Sequence, residues 1–112
     1  MGMGTHLLVN MYGCPKELLE RSEVVLGLLN KIVEKAGLHK IGESEYQFEP
    51  HGATAVVLLE ESHISIHTWP EQDGAAAVDI FTCAGPEKNE AAYQVMKKIF
   101  KPKKIEKKKV ER

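Results

Sequence analysis

Glu60-Glu61-Ser62-His63-Ile64-Ser65-Ile66-His67-Thr68-Trp69-Pro70-Glu71 is the stretch on which the fold turns. Ile64, Ile66 and Thr68 fall to one side and His63, Ser65, His67 and Trp69 to the other, the two-residue period of a half-buried strand that Pro70 closes. The aliphatic side must lie under a second layer. The opposite side presents two histidines, a serine and a tryptophan where a solvent-facing strand would carry Lys, Thr and Glu.

Working outward, residues 54–60 read as a buried strand, entered through a Pro50-His51-Gly52 turn from a further strand near residues 44–48. Downstream, Gln72-Asp73-Gly74 signals a turn into a strand over 75–83, with Val78 and Ile80 on one face and Asp79, Phe81 and Cys83 on the other. At the N-terminal end, residues 7–12 predict a strand stopped by Gly13, with Pro15 placed for the first turn of a helix from Lys16 onward. Leu18, Ser22, Val25, Leu29, Ile32 and Ala36 recur there at three- and four-residue spacing, and Gly37 is the natural stop. A second helix begins at Pro86, turns Ala92, Val95, Met96, Ile99 and Phe100 inward and ends at Pro102, before a possible edge strand over 103–110 guarded by lysines. These elements predict an α+β fold: a two-layer α/β sandwich with a mainly antiparallel sheet, both helices on one face and the other face uncovered.

The chain has 112 residues, with 43% hydrophobic and 28% charged, which fits a single domain over residues 1–112 with one modest core. So small a domain cannot easily enclose a deep pocket alone, and a second copy becomes a natural way to complete one. The longest apolar stretch, Ala53–Leu59, is seven residues with Thr54 inside it, against the roughly 20 a spanning helix needs. No membrane segment is expected. The opening Met1-Gly2-Met3-Gly4-Thr5-His6 lacks the basic and long apolar regions of a leader, so a cytoplasmic address is expected. Cys14 and Cys83 are expected as free thiols, their spacing matching no zinc framework. The net charge of -1 conceals an asymmetry: residues 97–112 carry nine basic and two acidic residues, +7, leaving -8 on the rest. With only Phe100 as an aromatic, that segment reads as a solvated face in preference to a nucleic-acid binder.

The polar cluster on the uncovered face admits several chemistries. His63 and His67 lie roughly 13 Å apart along a strand, too far to chelate one ion, so no metal site is expected. A serine hydrolase built on Ser62 or Ser65 would want a Gly-x-Ser-x-Gly elbow and an acid partner, and neither is evident. Partly buried histidines at a dimer interface are the plain structural alternative.

Residues 60–71, followed by Val78-Asp79-Ile80-Phe81-Thr82-Cys83, closely resemble the prokaryotic S-adenosylmethionine decarboxylase proenzymes. The resemblance extends to Gly4-Thr5-His6-Leu7-Leu8, Phe48 and Gly52-Ala53-Thr54. It implies a chain that cuts itself between Glu61 and Ser62, giving a β chain of residues 1–61 and an α chain of 62–112 whose first residue becomes a pyruvoyl group. That group substitutes for the electron sink of pyridoxal phosphate: its ketone condenses with the substrate amine and accepts the electrons released as CO2 departs. By resemblance His67 is the processing base, Thr54 (where relatives often have Ser) assists the oxyanion, and Cys83 is the proton donor. Phe48 and Trp69 would hold the sulfonium and adenine of S-adenosylmethionine, and Glu71 the ribose hydroxyls.

The implied protein is a homodimer of cleaved protomers acting on S-adenosylmethionine, with its cleft between the copies and its product feeding spermidine synthesis. Neither a nucleic-acid partner nor a membrane is implied. The same cofactor chemistry could serve an arginine or ornithine decarboxylase, since the residues that build it do not themselves read adenosine. An unprocessed, non-catalytic ligand-binding paralogue is a further alternative, against which the intact Ser62, His67 and Cys83 stand.

Overall fold

The computed structural model describes residues 2–112. Met1, the first residue of the stretch read for a leader, lies outside them. Six strands, β1 (Thr5–Tyr12), β2 (Lys40–Gln47), β3 (Ala53–Leu59), β4 (Ser62–Trp69), β5 (Ala75–Thr82) and β6 (Lys104–Glu111), form one sheet in the order β2-β3-β4-β5-β1-β6. Every neighbouring pair is antiparallel. Two helices, α1 (Ser22–Ala36) and α2 (Pro86–Phe100), cover one face, in the arrangement expected from the sequence.

The alternation of β4 decides which face is covered. Ile64 and Ile66 are fully buried, as are their neighbours Ala55, Val57 and Ile80, and all meet Val25, Leu29 and Ile32 of α1 and Met96 and Phe100 of α2 in one core. Thr68 joins them without cost, because its hydroxyl accepts the Ala53 N–H at 2.9 Å and donates to the Leu19 carbonyl at 2.8 Å. Among the described residues nothing covers the opposite face, and Leu8, Tyr46, Leu58 and Val110 stand exposed on it.

Two boundaries differ from the sequence reading. The helix expected from Lys16 is only a short turn, Lys16–Leu18, and α1 proper starts at Ser22. Sheet groups take the backbone partners a continuous helix would need: Leu19 O receives Thr68, Glu20 O receives the Gly52 N–H and Gln47 Nε2, and Ser22 N–H donates to Gln47 Oε1 at 2.6 Å. Strand β2 begins four residues earlier than expected, at Lys40. Its first half, Lys40 to Glu43, is largely exposed and includes Gly42, and pairing with β3 makes it a strand in spite of its composition. The charged C-terminal segment is, as expected, an edge strand, β6, where Lys107 lies 4.2 Å from the Tyr93 ring centroid and 3.6 Å from Glu90.

Cys14 and Cys83 are both free, as expected. Cys14 is buried, and burial pushes its thiol up to about 11. Alkylation of the native protein in mildly alkaline solution should therefore mark Cys83 and spare Cys14. Peptide mass spectrometry checks this, and equal labelling of both would contradict the burial argument.

Candidate active site

The eight residues singled out from the sequence fall into two groups at opposite ends of β4. At its start, residues 60 and 61 form a two-residue connection between Leu59 and Ser62, which pair across the β3–β4 hairpin. Ser62 has φ 143°, a backbone region that a residue with a Cβ rarely adopts. The Glu61 carbonyl, which precedes it, accepts the Cys83 N–H at 3.0 Å. Glu61, Ser62 and Cys83 are thus gathered at one corner of the sheet.

Two features hold that corner. Cys83 follows the end of β5, and the turn into α2 is fixed by the buried pair Thr82 and Asn89, with the Ala84 N–H donating to the same Thr82 hydroxyl at 3.1 Å. Glu61 is held by its side chain, only 13% exposed, against His39. Burial would raise the Glu61 carboxyl, and hydrogen bonds from the His39 ring and backbone outweigh it, leaving the group below its ordinary value.

At the other end of β4, register places Thr54 opposite His67, and Thr54 Oγ1 lies 2.9 Å from His67 Nδ1. In the tautomer that donates from Nδ1 to Thr54, Nε2 is left as an acceptor. The Trp69 ring sits 6.5 Å from that of His67, and Tyr46 meets Phe48 edge to face at 4.9 Å. Phe48, Thr54, His67, Trp69 and Glu71 line one open depression of about 280 Å³. Five residues chosen from sequence therefore converge on one pocket. His51, from the turn before β3, lines it as well, though the sequence reading had treated it only as a turn residue.

The two groups do not meet within the chain. Five steps of strand separate Ser62 from His67, about 16 Å at the usual rise of ~3.3 Å per residue. Between them on the uncovered face lie His63 and Phe81, with ring centroids 6.0 Å apart, and His6, whose Nε2 is 2.9 Å from Asp79. No three His, Cys, Asp or Glu side chains are grouped to hold a metal ion among the described residues.

A sequence model of S-adenosylmethionine decarboxylase matches residues 5–112. The chain is 49% identical over 110 residues to the S-adenosylmethionine decarboxylase proenzyme of Persephonella marina, covering 98% of this chain and 82% of that one. It is 45% identical over 102 residues to the proenzyme of Archaeoglobus fulgidus, covering 91% and 90% respectively. The crystal structure of the adenosylmethionine decarboxylase from Aquifex aeolicus superposes with a TM-score of 0.94 at 46% identity, covering 99% of this chain and 91% of that one. Among the described residues no helix is long and apolar enough to cross a membrane. With a matched family sequence, near-complete relatives and a shared six-stranded fold, this chain belongs to the S-adenosylmethionine decarboxylase family.

Proposed function

We propose that the chain is a self-cleaving precursor that matures by cutting the Glu61–Ser62 bond and then decarboxylates S-adenosylmethionine. The observation that carries this reading is the corner of the sheet where Ser62 stands at φ 143° and the Glu61 carbonyl receives the Cys83 N–H at 3.0 Å. In the cut, Ser62 Oγ adds to the Glu61 carbonyl carbon, the C–N bond breaks, the released nitrogen takes a proton, and an ester replaces the peptide. The addition places negative charge on the Glu61 oxygen, where the Cys83 N–H already points. Backbone held in an unfavourable region raises the starting state relative to that intermediate. A base then removes the Ser62 Cα proton, Glu61 leaves as a carboxylate, and the remaining dehydroalanine tautomerises and hydrolyses, releasing ammonia.

The residues present suit a pyruvoyl group at position 62: a serine at a strained step, a directed donor, and a thiol beside it. When formed, that group supplies the electron sink for loss of CO2. Cys83, the exposed cysteine, is the proton donor to the former α-carbon of the substrate. Phe48 and Trp69, 47% and 42% exposed, offer aromatic faces to a flat base and a sulfonium, and Glu71 offers acceptors to ribose hydroxyls.

The base and the adenosine pocket come from a second copy. An open hollow of about 280 Å³ lies at the small end of ligand pockets, and it is about 16 Å along β4 from Ser62. A twofold axis through the uncovered face would lay the start of β4 in one protomer over the end of β4 in its partner, bringing Ser62 and Cys83 to the partner's Thr54 and the partner's His67. It would also cover Leu8, Tyr46, Leu58 and Val110, which are otherwise exposed.

Mixed dimers test the shared site. His67→Ala and Ser62→Ala chains should each stay uncut alone, whereas co-expression should cut the His67→Ala chain, because its serine then faces an intact histidine. Mixtures in which neither chain is cut would contradict a site shared between copies. Release of labelled CO2 tests the substrate: carboxyl-labelled S-adenosylmethionine should be decarboxylated, and release from arginine or ornithine alone would overturn the assignment.

A further inference from the structure

His39, two residues past the left-handed Gly37 that ends α1, touches both residues that precede Ser62. Its carbonyl accepts the Glu60 N–H at 2.8 Å, its own N–H donates to Glu61 Oε1 at 3.1 Å, and its Nδ1 lies 2.6 Å from Glu61 Oε2. One residue therefore engages the backbone of the hairpin connection and both carboxylate oxygens of Glu61. The connection has no need of this to form, since Leu59 and Ser62 already pair.

The clamp restrains Glu61 itself. Its side chain is tied to His39 on one side and its carbonyl to the Cys83 N–H on the other, so the residue is fixed at two points on either side of its Cα. That leaves little freedom for the Glu61–Ser62 peptide to rotate out of line with the Ser62 hydroxyl. Attack on a peptide carbonyl depends steeply on this alignment. The restraint also reaches the site from a separate part of the fold. Leu38 is buried, and its N–H returns to the Val33 carbonyl at 3.0 Å, so the end of α1 sets where His39 stands.

We propose that His39 is a positioning residue for self-cleavage: by holding the Glu61 carboxylate it keeps the scissile carbonyl in line for attack by Ser62, and so accelerates formation of the ester. This rests on the reading of Ser62 as the residue at which the chain cuts itself. His39 does not touch the reacting atoms. Its influence is confined to the acyl shift and leaves the later loss of the Ser62 Cα proton unaffected.

Precursor freshly made by cell-free translation, followed in time by mass spectrometry, tests the proposal. His39→Ala should yield the 1–61 and 62–112 fragments at least about tenfold more slowly than wild type. His39→Asn should recover most of the rate, because its Nδ2 can occupy the place of Nδ1. Hydroxylamine, which splits an accumulated ester, should not hasten cutting of the His39→Ala chain. In the uncut Ser62→Ala background, adding His39→Ala should move the melting midpoint by less than about 3 °C, since one partly exposed side-chain contact contributes little to stability.

Wild-type speed in His39→Ala would overturn the role of His39 alone. Prompt cutting of the His39→Ala chain by hydroxylamine would overturn it too, by showing that the ester forms normally. Slow cutting with no recovery in His39→Asn and a large fall in melting midpoint would reduce the residue to a structural one. A wild-type precursor that stays whole would overturn the self-cleavage reading itself.

Discussion

Ser62→Ala should purify as one uncut 12.5 kDa chain and release no CO2 from S-adenosylmethionine. The substitution removes one oxygen and leaves the rest of the corner in place: the Leu59 pairing, the Cys83 N–H on the Glu61 carbonyl and the His39 clamp all involve other atoms. Without the hydroxyl there is no internal nucleophile, and an ordinary peptide bond is stable in water on any laboratory timescale. The expected loss is total for both maturation and turnover, because the same atom begins one and its carbon framework becomes the centre of the other. Denaturing gels after prolonged incubation check the first effect and labelled CO2 the second. Fragments in Ser62→Ala would contradict the chemistry outright.

Cys83→Ala should separate the two activities that Ser62→Ala removes together. The contact to Glu61 comes from the Cys83 backbone N–H, which alanine retains, so the variant should still be cut. What it loses is the thiol. A positioned general acid is worth about 10²–10⁴-fold, and kcat should fall by about a hundredfold or more, with protonation diverted to other donors. The useful measurement is therefore a pair: the cleaved fraction by mass, and turnover per cleaved chain. Full turnover in Cys83→Ala would remove Cys83 as the donor, and failure to cut would mean that its side chain serves maturation as well.

Much of the fold was legible because β4 wears its environment openly. Ile64, Ile66 and Thr68 against His63, His67 and Trp69 fix which face is covered, and Pro86 and Gly37 mark helix ends by backbone chemistry that hardly depends on context. The first half of β2 was not legible. Lys40 to Glu43 carry no alternation, and only the partner strand makes them extended. The early part of the expected first helix failed for a related reason, since Thr68, Gln47 and Gly52, remote in sequence, engage its backbone groups.

The site divides in the same way. Motif resemblance named Phe48, Thr54, His67, Trp69 and Glu71, and strand register then brings Thr54 to His67 and the rest around them. The separation of Ser62 from His67 was available from strand arithmetic, the same rise per residue that keeps His63 and His67 from sharing an ion. His39 left no signal, because its contact with Glu61 depends on where α1 ends relative to a hairpin 22 residues away. A motif can name the residues that react more easily than those that hold them still.

The central claim is that this chain makes its own cofactor at residue 62, and the intact mass of the freshly purified wild-type protein under denaturing conditions tests it most directly. Two species are expected: residues 1–61 ending in a free carboxylate, and residues 62–112 lighter by one ammonia than a chain beginning with serine. A single 12.5 kDa chain that persists on incubation, or a second fragment that begins with unaltered serine, would contradict it.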